Sequence, residues 1–132
     1  MHPRNRWFIV CSLLYAVIGG GLGTYQAFLP GTLPGFPARA HGHVMLLGFV
    51  TMMIYGVALH TLPRFANRTL HSERLADFQL WVANIGLIVL VIGWLGYWQP
   101  VLVAGGLAVW AAMIAFAYNI LHSVSARPAE GS

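Results

Sequence analysis

The chain has 132 residues, 58% of them hydrophobic and 8% charged, with a mean hydropathy of +0.71. Soluble domains carry about 25% charged residues, so the composition excludes a water-soluble globular protein and leaves length for one compact membrane bundle without a separate soluble domain. The formal charge of +4 is entirely arginine, and the arginines fall in loops and near the termini rather than on one face, which speaks for membrane topology and against nucleic-acid binding.

Four apolar runs stand out, over about 7–29, 41–62, 76–98 and 101–124. Each is near the ~20 residues needed to cross a bilayer. Backbone polar groups in lipid must be satisfied within their own segment, so all four are expected as helices. The fold class predicted is all-α, an up-down four-helix membrane bundle in one domain, 1–132. The first run follows His2, Arg4 and Arg6, a positive start that suits a signal peptide. Its length and the lack of an A-x-A-like site close behind it favour a retained helix. Cys11 is the single cysteine and lies inside that run, so no intrachain disulfide forms.

The first connection, 30–40, is rich in proline and glycine and reads as an irregular surface loop. The second, 63–75, carries Arg64, Arg68, Glu73 and Arg74, with Asp77 just beyond. Gln99-Pro100 makes a tight third turn, and the polar tail follows Ser125. On an up-down path Arg4, Arg6, Arg64, Arg68, Arg74 and Arg127 share one side, and only Arg39 falls on the other. The positive-inside rule then places both termini in the cytoplasm, in an inner (cytoplasmic) membrane. Trp7, Trp94, Tyr97 and Trp98 sit where aromatic belts are expected. Gly19, Gly20, Gly21 and Gly23 on the first helix, Gly48 and Gly56 on the second, Gly86, Gly93 and Gly96 on the third, and Gly105 and Gly106 on the fourth mark close helix contacts.

Ionisable side chains in a membrane segment are functional candidates, and imidazole is a ligand for haem iron, copper and zinc. His41 and His43 are two residues apart, so on a regular helix they point to nearly opposite sides. His43 and His60 are 17 apart, about 25 Å along a helix, and cannot share a ligand. His60 and His122 lie on one side of the membrane and can meet across the bundle; His71 and His2 read as solvated. His41 opens a helical stripe with Met45, Gly48, Met52 and Tyr55. Such a stripe suits a porphyrin wall, but taken alone it is more often ordinary helix packing. Arg39 is placed to pair a haem propionate or to reach headgroups. Tyr15, Gln26, Thr51, Asn84, Tyr118 and Asn119 read as interhelical glue.

The stretch from Ala40-His41-Gly42-His43-Val44-Met45 through Gly48-Phe49 and Gly56 to His60-Thr61-Leu62-Pro63-Arg64-Phe65 resembles the second transmembrane helix of haem–copper oxidase subunit I. That family includes cytochrome oxidases and nitric oxide reductases. The resemblance covers about 25 residues and implies that His41 is the axial ligand of a low-spin haem, with His43 next in line if the register slips. The family's other ligands lie on later helices that this chain does not have. The resemblance therefore implies a minimal four-helix relative, with no reduction of oxygen or nitric oxide by this chain alone. The expected cofactor is haem b, on His41 with His43, Met45, Gly48 and Arg39 around it, in an electron-transfer, gas-binding or haem-handling role. A second axial imidazole would come from a symmetric dimer or a larger respiratory complex. Two rivals stand beside this reading. One is a cofactor-free accessory or assembly subunit. The other is a copper or zinc protein using His41 and His43 with Met45, while His60, His71 and His122 on the other side leave room for a further metal site.

Overall fold

The computed structural model describes residues 1–125; Arg127 and the polar tail lie outside the described residues. The four runs form four helices long and apolar enough to cross a membrane: α1 (Pro3–Phe28), α2 (Pro37–Phe65), α3 (Glu73–Gly96) and α4 (Gln99–Ser125). The chain is an all-α multi-pass membrane bundle. Large apolar side chains such as Val17, Ile18, Phe65, Trp81 and Trp110 stay exposed around it, as a lipid-facing surface requires.

The helices begin earlier than hydropathy alone indicates, because capping rather than apolarity sets their starts. Pro3 and Pro37 each occupy the first turn of their helix, where the missing N–H costs nothing. The Ser72 hydroxyl accepts from Leu75 N–H at 3.1 Å and opens α3 at Glu73. The helix α3 ends at Tyr97, which adopts a left-handed conformation (φ 54°). Pro63 does not close α2, as its place in the sequence suggests. It sits inside the last turn, and the helix runs on to Phe65.

The middle of α2 departs from α-geometry. Val44–Thr51 is π-helical, and the Thr51 hydroxyl donates to the Leu46 carbonyl five residues back at 2.8 Å. Wider turns in this stretch go with a burial repeat of four residues: Ala40, Val44, Gly48 and Met52 all face inward.

Contacts between helices are made through glycine. In α1 and α2, a Cβ on Gly19 would meet Met45 Sδ at 2.6 Å, one on Gly48 would meet Tyr15 at 2.7 Å, and one on Gly56 would meet the Asn5 carbonyl at 2.8 Å. These pairs run in opposite order along the two helices, which are therefore antiparallel. In α3 and α4, Gly86 faces Val109, Gly93 faces Leu102, and Gly105 lies directly on the Leu90 backbone. Gly20, Gly21 and Gly106 face open space and play no part in this packing.

Polar clasps add directionality. The guanidinium of Arg4 is buried, with 3% of its side chain exposed. It pairs with Glu73 at 2.7 Å and Asp77 at 3.1 Å and also donates to Asn5 Oδ1, tying the start of α1 to the start of α3. Tyr15 donates to Asn84 at 2.9 Å across α1 and α3. Buried Asn119 on α4 bonds both backbone groups of Ser72, accepting from its N–H at 2.9 Å and donating to its carbonyl at 2.8 Å. Ser123 Oγ accepts from His71 N–H at 2.8 Å, so the second loop is latched to α4 at two points. Gln79 is an exception among buried polar side chains, since neither polar atom of its amide has a hydrogen-bond partner among the described residues.

Two substitutions test this account. Gly105→Val should strip α3 from α4, because the added carbons meet backbone that cannot yield; the neighbouring Gly106→Val should be tolerated. Overpacking of this kind costs about 1–3 kcal/mol or more, read as loss of the monodisperse gel-filtration peak and lowered thermal stability in detergent. Arg4→Gln should cost about 1–3 kcal/mol by the same assay, since it removes charge-assisted bonds from a buried site; Arg6→Gln, on an exposed side chain, serves as the control.

Candidate functional site

The site begins with the loop between α1 and α2. Gly35 has φ +69° and lies against the Trp94 carbonyl, an approach open only to glycine. The next residue, Phe36, donates its N–H to that carbonyl at 2.9 Å. The loop is thus pinned onto α3 before α2 starts, which fixes where the first turns of α2 point.

From those turns His41 and His43 diverge. His41 lies against α1: its Nδ1 is 2.8 Å from the Gly19 carbonyl, and its ring fills the notch at Gly23, where a Cβ would stand 2.6 Å from Cε1. His43 lies against α3, its ring 5.6 Å from that of Trp94, with Nδ1 2.7 Å from the Arg39 carbonyl. A carbonyl only accepts, so each neutral imidazole carries its proton on Nδ1, and its Nε2 makes no hydrogen bond to another side chain or backbone group among the described residues.

The stripe below His41 is used for packing. Met45 fills the notch at Gly19, Gly48 receives Tyr15, and Met52 and Tyr55 are buried in the core. The face that suited a porphyrin wall is in direct contact with α1. A flat macrocycle on His41 has to lie outside this seam, toward lipid or a second protomer.

Arg39 does not join His41. Its guanidinium stacks 4.8 Å over the Phe36 ring and 5.0 Å over the Trp94 ring, on the His43 side. Around it Phe36, Trp94, Tyr97 and Gln99 line a cavity of about 490 Å³, and the buried Trp94 Nε1–H has no acceptor among the described residues. Trp94 is therefore more than a belt residue: it organises this end of the bundle. Its part was not legible in the sequence, where it is one tryptophan among five.

At the opposite end, His122 packs beside His71 and Tyr118. The ring of His122 lies 5.1 Å from that of His71 and 4.0 Å from that of Tyr118, and its Nδ1 is 2.9 Å from the Tyr118 carbonyl. His71 is exposed, as its loop position in the sequence suggests, while its backbone is held beside α4 by the Ser123 and Asn119 latches. Among the described residues no three side chains of His, Cys, Asp or Glu converge on one point. A single ion shared by His41 and His43 is not built, because their rings face different helices.

The tautomers are directly testable. In ¹⁵N spectra of histidine-labelled protein, neutral His41, His43 and His122 should each appear protonated at Nδ1, and Gly23→Val should displace the His41 signal alone. A His41 protonated at Nε2 would remove the basis for treating it as a preset ligand. No family model, curated protein or solved structure matches this chain.

Proposed function

We propose that this protein is a membrane-embedded carrier of b-type haem in which His41 Nε2 is an axial ligand, acting in electron transfer. The observation that carries the reading is the bond from His41 Nδ1–H to the Gly19 carbonyl. It orients the imidazole, fixes its tautomer and raises the basicity of Nε2, as a backbone acceptor does behind a ligating histidine. The resemblance of residues 40–65 to the low-spin haem helix of the oxidases supports the same assignment. When bound, the iron would supply one-electron redox chemistry. The chain's own part is to hold His41 against α1, to keep water away with the apolar residues around it, and to set the electrostatics of the site.

Because the Met45–Tyr55 stripe is occupied by α1, the haem belongs on the outer side of His41. A second imidazole then comes from a symmetric partner copy or from another subunit. Arg39 shares a side with His43, so a propionate paired with Arg39 belongs to a haem on His43. We orient the bundle with both termini in the cytoplasm, from the arginines gathered at that end.

One observation favours a second reading, a cofactor-free accessory subunit of a membrane complex: the stripe that the haem reading invokes is consumed by ordinary helix packing.

Absorption spectra of detergent-purified protein, oxidised and dithionite-reduced, separate the two. The expected result is a sharp reduced α band typical of six-coordinate haem b, with His41→Ala losing most of the haem and His43→Ala retaining it. The reverse pattern would transfer the ligand to His43. Absence of a Soret band after expression with ample haem would leave the accessory reading. Elution of the red species as a monomer with bis-imidazole ligation would remove the dimer.

A further inference from the structure

Independently of haem, the end of the bundle that carries most of the arginines holds a second site. Asn67, Arg68, Thr69, His71, His122 and Ser123 line a cavity of about 490 Å³ between the second loop and the end of α4. It is open to the surface, with His71 and His122 exposed, and its wall at His71 and Ser72 is latched to α4. Asn119 bonds both backbone groups of Ser72, and Ser123 Oγ accepts from His71 N–H while donating to the Asn119 carbonyl at 2.6 Å.

The charge around it is one-sided. The sequence contains only three carboxylate side chains, Glu73, Asp77 and Glu130. Glu73 and Asp77 are both held by Arg4, and Glu130 lies outside the described residues. Among the described residues no carboxylate pairs with Arg68. Beside it are two imidazoles with ring centres 5.1 Å apart. His122 has its Nδ1–H committed to the Tyr118 carbonyl, so its free edge is Nε2. A metal ion on the imidazoles would share the cavity with the Arg68 guanidinium. An anion would instead gain from the guanidinium, whose fork matches tetrahedral oxygens, and from the imidazoles in their protonated form, in which His122 donates through Nε2–H.

We propose that this cavity binds a phosphate group through Arg68, His71 and His122. The same chemistry serves a lipid phosphodiester at the bilayer surface and a free phosphate ion. The apolar neighbours Leu70 and Leu121, the first in the wall and the second beside His122, suit a headgroup whose chains run along the bundle.

The test uses full-length, ¹⁵N-histidine-labelled protein in phosphatidylcholine nanodiscs. Phosphatidylglycerol or, separately, inorganic phosphate is added. The expected result is that His71 and His122 signals shift while His41 and His43 stay in place. Arg68→Gln should raise the concentration needed for half the shift about tenfold, the loss of one charge-assisted contact. Arg68→Lys should recover part of it, and unchanged His41 and His43 signals in both variants show that the bundle is intact. A response to phosphatidylglycerol alone identifies a lipid headgroup site; a response to inorganic phosphate identifies a free-anion site. Shifts with zinc ion and with neither phosphate source would overturn the proposal in favour of a metal pair. No shift with any of them, or equal affinity in Arg68→Gln, would overturn it as well.

Discussion

Close approach of helix backbones at glycine is the constraint on which the rest of this bundle depends. In lipid the helices gain little from burying apolar side chains, since the surrounding chains are as apolar as leucine. Association must come from contact, and contact is closest where a side chain is missing. Gly19, Gly23, Gly48 and Gly56 let α1 and α2 meet along their length, and Gly86, Gly93 and Gly105 do the same for α3 and α4. The placement of His41 follows from this seam: its ring occupies the Gly23 notch because no Cβ is there, and its proton goes to Gly19 because that carbonyl is within reach.

Polar clasps then select one arrangement among those that glycine packing allows. Arg4 and Tyr15 bond from α1 to α3, and Asn119 bonds from α4 to the second loop, so that sliding or rotating one helix breaks one of these bonds. The two ends of the bundle come out chemically different. One end has Arg39 layered on Phe36 and Trp94 beside His43. The other gathers Arg68, His71 and His122 around a polar cavity. The π-helical stretch 44–51 lies between them and carries His43 and His41 on its N-terminal side. Such segments recur near functional sites because they alter which residues share a face.

The number of helices, their membrane character and their up-down order were legible in the sequence, because lipid leaves few options for a run of about 20 apolar residues. The divergence of His41 from His43 was legible too, from their spacing on a helix. Helix starts were less so, since Pro3, Pro37 and Ser72 set them by capping, ahead of the apolar runs. The separation of glycines into contact and open positions was not legible at all: Gly105 and Gly106 are adjacent and chemically identical, and only the position of Leu90 distinguishes them.

By itself, then, the sequence determined a four-helix membrane protein with histidines at both ends of its second helix, because hydropathy and helical periodicity are local properties. The tertiary structure decided which groups meet. It set His71 beside His122, moved Arg39 to the His43 side, and engaged the Met45–Tyr55 stripe in helix packing. Each of these depends on residues far apart in the chain arriving at one place, as Gly19 does for Met45 and Trp94 for Arg39. Spacing along one helix carries no information about what stands opposite.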